Sequence, residues 1–94
     1  MDKRTAEKML DSMVDEASQR EGERGMGYCH GTAKAFLIMK RSQSLDAGIK
    51  LITAAKDKEI ENLSEARKEK DTSTDIWLEG LIEALEYILK KLNS

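Results

Sequence analysis

Apolar residues in this chain of 94 amino acids recur three and four positions apart over most of its length, the spacing of amphipathic helices. Between Asp2 and Gln19, the residues Ala6, Met9, Leu10, Met13, Val14 and Ala17 stack on one face and predict a first helix. The stretch Glu21 to Gly31 interrupts the pattern: it holds four of the six glycines, at 22, 25, 27 and 31, and reads as the main break in the chain. From Gly27 or Thr32 the helical pattern resumes and runs toward Lys70 without a proline to stop it, Leu45, Ile49, Ile52, Ile60 and Leu63 marking one face. Ser42-Gln43-Ser44 offers N-cap oxygens ahead of Leu45, so this stretch is either one long helix or two joined by a kink at 42–45.

A cluster of turn residues from Asp71 to Asp75 follows, in which Thr72 and Asp75 have the form of a capping box. The last helix, 73–92, carries the clearest stripe of the chain: Leu78, Leu81, Ile82, Leu85, Ile88, Leu89 and Leu92, widened by Trp77 and Ala84. Ile76, Gly80 and Tyr87 form a second, smaller apolar line on its other side, so this helix is expected to have two neighbours.

The expected fold is a single all-α domain of three helices, four if the middle one kinks. As one helix, residues 32–70 would be about 58 Å long, against about 27 Å and 30 Å for the first and last. Shorter partners cannot cover it, and the uncovered apolar surface predicts a helical homo-oligomer, with Ile76, Trp77, Gly80 and Tyr87 as its interface.

Composition agrees with helices. Proline is absent, only four residues are aromatic, and 36% are charged against 39% apolar, which leaves the chain lean in core material. The net charge of −2 lacks the basic footprint of a nucleic-acid binder. The longest strongly apolar uncharged run, Ala35 to Met39, is far below the roughly 20 residues that cross a bilayer. With one cysteine and no secretory signal pattern, the expected location is the cytoplasm. Asp57, Glu61, Glu65 and Glu69 form an acidic row, read as a solvated face relieved by Lys58 and Lys68.

Catalytic chemistry is poorly supplied, and no enzyme is expected. His30 is the only histidine, and its neighbour Cys29 would project about 100° away from it on a helix, which does not make a nucleophile and base pair. One Cys and one His fall short of the three or four ligands of a zinc site, so neither metal nor cofactor is expected.

Ligand binding has better support. Residues 25–50 carry the only positive stretch, +3, and it begins inside the glycine-rich segment. Glycines that turn backbone amides outward, followed by a helix N-terminus, suit a phosphate or carboxylate. The segment is not a Walker loop, because no Gly-Lys-Ser/Thr follows at the required spacing. The expected site comprises Arg24, Gly25, Gly27, Tyr28, His30, Thr32, Lys34 and Arg41. His30, Lys34 and Arg41 fall within about 40° on the helical wheel, and Tyr28 is placed to stack on a flat ring.

The expected function is therefore that of a non-enzymatic oligomer that recognises or sequesters a small phosphate-bearing, nucleotide-like ligand. The alternative is an inhibitor or adaptor that binds a protein partner through exposed helical faces. In size, charge richness and lack of catalytic groups the chain resembles, in type only, small phage-encoded helical proteins that blunt bacterial defence by soaking up a signal or blocking an effector.

Overall fold

The computed structural model describes all 94 residues, Met1–Ser94, as four α-helices with no strands: α1 (Lys3–Ala17), α2 (Gly22–Arg41), α3 (Leu45–Lys68) and α4 (Thr72–Leu92). Asp2 caps α1 by accepting a hydrogen bond from the Thr5 amide at 2.8 Å. Ala6, Leu10 and Ala17 turn inward, with Met9, Met13 and Val14 half-buried beside them.

The first departure from the sequence pattern is at the glycines. The break is confined to the turn after α1, and α2 begins at Gly22, whose φ of +79° is one that glycine adopts without strain. Gly25, Gly27 and Gly31 all lie within the helix. Glycine costs about 1 kcal/mol against alanine in a helix interior, so something else must hold this stretch helical. That something is α4. A Cβ on Gly27 would run into the carbonyl of Trp77, and a Cβ on Gly80 into the carbonyl of Arg24, both far closer than the 3.0 Å below which real Cβ contacts essentially do not occur. Gly31 sits against the Leu81 carbonyl and Ala84 in the same way. The missing side chains let two helix backbones touch, and α2·α4 is the most extensive helix pair of the fold.

The middle stretch is two helices joined at 42–44, the kinked one of the two forms the sequence allows. Ser42 has extended backbone, ψ 152°, and its hydroxyl donates to the Ile38 carbonyl at 2.6 Å, closing α2. Ser44 then caps α3 by accepting from the Ala47 amide at 3.1 Å. Gly48 lets the start of α3 close onto Met39. The excess length that called for a second subunit is thus folded back within the chain: 20 residues of α2 and 24 of α3 match their 15- and 21-residue neighbours.

The second departure concerns the cap of α4. It is Asp71, not Thr72: the Asp71 carboxylate accepts from the Thr74 amide at 3.2 Å and the Thr74 hydroxyl at 2.6 Å. Asp75, the expected partner of Thr72, is instead held by Arg67 at 3.4 Å. Lys70, in left-handed conformation at φ 57°, ends the α3–α4 turn.

Contacts fix the directions. Gly27 meets Trp77 and Gly31 meets Leu81 and Ala84, so α2 and α4 run parallel; α3 is antiparallel to both, and α1 is antiparallel to α2. The core joins Ala6 and Leu10 of α1, Ala35 and Met39 of α2, Ile52 of α3, and Leu81, Leu85, Ile88, Leu89 and Leu92 of α4. The two expected neighbours of α4 are α2 and α3 of the same chain. α1 packs on α2 but barely touches α4, which leaves a trench between α1 and α4 along one side of the molecule.

Candidate functional site

The residues singled out from sequence do not converge on one site. Gly27 and Gly31 are buried against α4, where their backbones face another helix and not solvent. Gly25 lies against the backbone and Cβ of Arg20. Thr32 is fully buried and its hydroxyl donates to the Cys29 carbonyl at 2.8 Å. Arg24 is occupied by α4: its Nη2 donates to Glu83 at 2.6 Å and its Nη1 to Glu79 at 3.0 Å. The hydrogen bond and charge of Glu83, with those of Glu79, push the Arg24 pKa above its ordinary value.

His30, Lys34 and Arg41 do share one side of α2, but His30 lies against Trp77 with ring centroids 5.0 Å apart. Tyr28 is about 160° around the helix from His30 and belongs to a different surface. Of the expected interface residues, Gly80 is buried under α2 and Trp77 is half-buried, while Ile76 and Tyr87 stay exposed. Three members of the acidic row have a lysine close by, Asp57 with Lys56, Glu61 with Lys58 and Glu65 with Lys68, at 3.6 to 3.7 Å.

What the fold does assemble is the trench, a cavity of about 830 Å³ with Tyr28 of α2 at its base. Met9 and Met13 of α1 supply apolar wall, Thr5 and Ser12 supply hydroxyls, and Glu83, Tyr87 and Lys91 of α4, four residues apart, form the opposite wall. Arg20, in the turn after α1, places its guanidinium carbon over the Tyr28 ring at 3.7 Å from its centroid. Lys91 reaches to 5.4 Å from the centroid of Tyr87. Burial pushes the Tyr28 phenol above its ordinary value of 10.0, against the opposing pull of Arg20.

Three cations line this trench, Lys8, Arg20 and Lys91, and none takes part in an ion pair. Of the two lining carboxylates, Glu83 is held by Arg24, which leaves Glu16 alone to balance them. No histidine or cysteine lines the trench, and no group of Cys, His, Asp and Glu in the chain is arranged to hold a metal ion.

The chain matches no protein-family model, no curated protein and no solved structure.

Sequence reasoning missed Lys8, Arg20 and Lys91. Each lies on a helix edge or in a turn among 16 basic residues, and nothing in the local pattern separates it from the others. Tyr28 and Tyr87 were legible as residues of interest, one as a stacking ring and one as an exposed apolar position. Only the crossing of α2 and α4, with α1 held off to one side, places both in one cavity.

Proposed function

We propose that the protein is a non-enzymatic binding protein that takes a small phosphate-bearing, nucleotide-like ligand in the trench between α1 and α4, sequestering it without turnover. The carrying observation is the pairing of unneutralised cations with aromatic rings: Lys8, Arg20 and Lys91 line a cavity together with Tyr28 and Tyr87. The volume of about 830 Å³ lies in the range of small-molecule sites, roughly 300 to 1,000 Å³. A flat ring gains stacking area on tyrosine, and a phosphate gains charge-assisted hydrogen bonds from lysine and arginine. The ligand class is the one expected from the sequence. Its place is the trench, because the backbones of Gly27 and Gly31 are committed to α4.

Calorimetric titration with a panel of nucleotides tests this reading. Binding is expected, weakened by Lys8→Ala and by Arg20→Ala and unaffected by Lys34→Ala, which lies on another side of α2. Loss of binding on Lys34→Ala, with Lys8→Ala and Arg20→Ala silent, refutes the trench. So does the absence of binding across the panel.

A second reading, self-association or docking on a protein partner, is favoured by the outward face of α2, where Met26 and Leu37 are 58% and 45% exposed. It predicts a dimer or larger species in sedimentation velocity, dissociated by Leu37→Lys. A monomer at all concentrations leaves a foreign partner as the only form of that reading.

A further inference from the structure

The trench is not symmetric along its length, and the asymmetry orients what it holds. Because α1 runs antiparallel to α4, Glu16 and Arg20 lie at the same end as Tyr28 and Glu83, whereas Thr5 and Lys8 lie at the same end as Lys91. Both lining carboxylates are therefore at the Tyr28 end. A second hollow of about 520 Å³, lined by Tyr87, Lys90, Lys91 and Ser94, adjoins that other, Lys91 end along α4 and shares Tyr87 and Lys91 with the first. No acidic side chain lines that end.

We infer that the ligand lies lengthwise, with its ring at Tyr28 and Tyr87 and its phosphates at Lys8, Lys90 and Lys91, so that the site selects nucleosides bearing a chain of two or more phosphates over nucleosides and monophosphates. This rests on the proposed binding role and adds polarity and length to it. Two physical arguments carry it. The Tyr28 end sets the unpaired Glu16 against Arg20, and its other carboxylate, Glu83, is held by Arg24, whereas the Lys91 end holds Lys8, Lys90 and Lys91 with no carboxylate, so phosphates gain more charge there. The span also fits: Tyr87 to Lys91 is about one helical turn, roughly 6 Å, so a base beside Tyr87 brings its first phosphate, one sugar further on, to Lys91. In this orientation a single phosphate meets Lys91 and Lys8, and a second or third extends along α4 toward Lys90.

The test is calorimetric titration of the full chain with adenosine, AMP, ADP and ATP, the corresponding guanine and uracil series, and inorganic triphosphate. Affinity is expected to rise about tenfold from mono- to diphosphate, the size of one added charge-assisted contact, and to fall as salt is raised. Lys90→Ala, on an exposed position, is expected to abolish the advantage of the di- and triphosphates while leaving monophosphate binding unchanged. Tyr87→Leu is expected to weaken every nucleotide and leave inorganic triphosphate unaffected. Circular dichroism verifies that both variants fold. If nucleotides bind but equally well at all phosphate lengths, or if Lys90→Ala weakens the whole series alike, the orientation is overturned while the binding role stands. If no member of any series binds, the binding role fails and the orientation with it. Binding of an acidic helical peptide in place of all nucleotides likewise overturns both.

Discussion

Replacing Gly27 or Gly80 with alanine should destabilise the protein, although alanine is the better helix former. Each added methyl would lie about 1 Å inside the closest tolerable approach to a carbonyl on the facing helix. A backbone carbonyl cannot rotate aside as a side chain can, so α2 and α4 must separate by roughly that distance. A gap of 0.5 to 1 Å forfeits about a quarter to a half of each dispersion contact it opens. The contacts in question are those of Leu81, Leu85 and Ile88 with Ala35 and Met39, the centre of the core. Overpacking of this kind costs about 1 to 3 kcal/mol, here toward the upper end because both clashing groups are backbone. Against it stands a helix-propensity gain of about 1 kcal/mol. The net loss is then about 2 kcal/mol, a substantial share of the roughly 5 to 15 kcal/mol that a folded domain has in total. The two glycines face each other's helix across one crossing, so the helices, once separated by the first methyl, admit the second at lower cost. The double variant should therefore lose less than the sum of the singles. Urea unfolding followed by far-ultraviolet circular dichroism measures all three. Gly27→Ala and Gly80→Ala variants at least as stable as the parent would refute the close crossing and return the glycines to the role of a free, ligand-facing segment.

Further outcomes follow from the caps and the trench. Ser44→Ala removes the acceptor for the Ala47 amide at the start of α3 and should cost about 1 kcal/mol in the same urea assay; no change would mean that the α2–α3 turn does not depend on this cap. The Asp71 carboxylate is held below its ordinary value of 3.8 by hydrogen bonds from the Thr74 side chain and backbone. Its folded pKa is depressed, so its stabilising effect is complete above that ordinary value and is lost as pH falls through the folded one. The urea midpoint of Asp71→Asn should fall less steeply with acid than that of the parent, and equal slopes would contradict the cap. The Tyr28 phenol is raised, chiefly by burial, so its contribution to stability is present below 10.0 and is lost as pH rises through the folded value. Phenolate absorbance should show Arg20→Ala moving this titration higher still, since the guanidinium over the ring is the group that lowers it; a downward shift, judged against Tyr28→Phe, would remove Arg20 from the ring face.

The helices were legible where one side chain pattern meets one solvent boundary. The stripe from Leu78 to Leu92 is buried along its length, and Ser44 caps α3 as its place ahead of Leu45 implies. The glycines were not legible, because the same residue serves two opposite purposes: it loosens a chain in a turn, as at Gly22, and it lets two chains touch in a helix, as at Gly27 and Gly80. Local sequence cannot distinguish these. The information lies in the pairing of Arg24-Gly25-Met26-Gly27 with Trp77-Leu78-Glu79-Gly80, two segments far apart in the chain, in which each glycine faces the carbonyl of the residue three positions before the other. The trench is illegible for a related reason. It lies between α1, which packs on α2, and α4, which α1 barely touches, and its tyrosines come from α2 and α4, helices far apart in the chain. Glycines thus bear on the trench at one remove. They do not line it themselves, but the helix contact they permit sets Tyr28 of α2 beside Tyr87 of α4 within it.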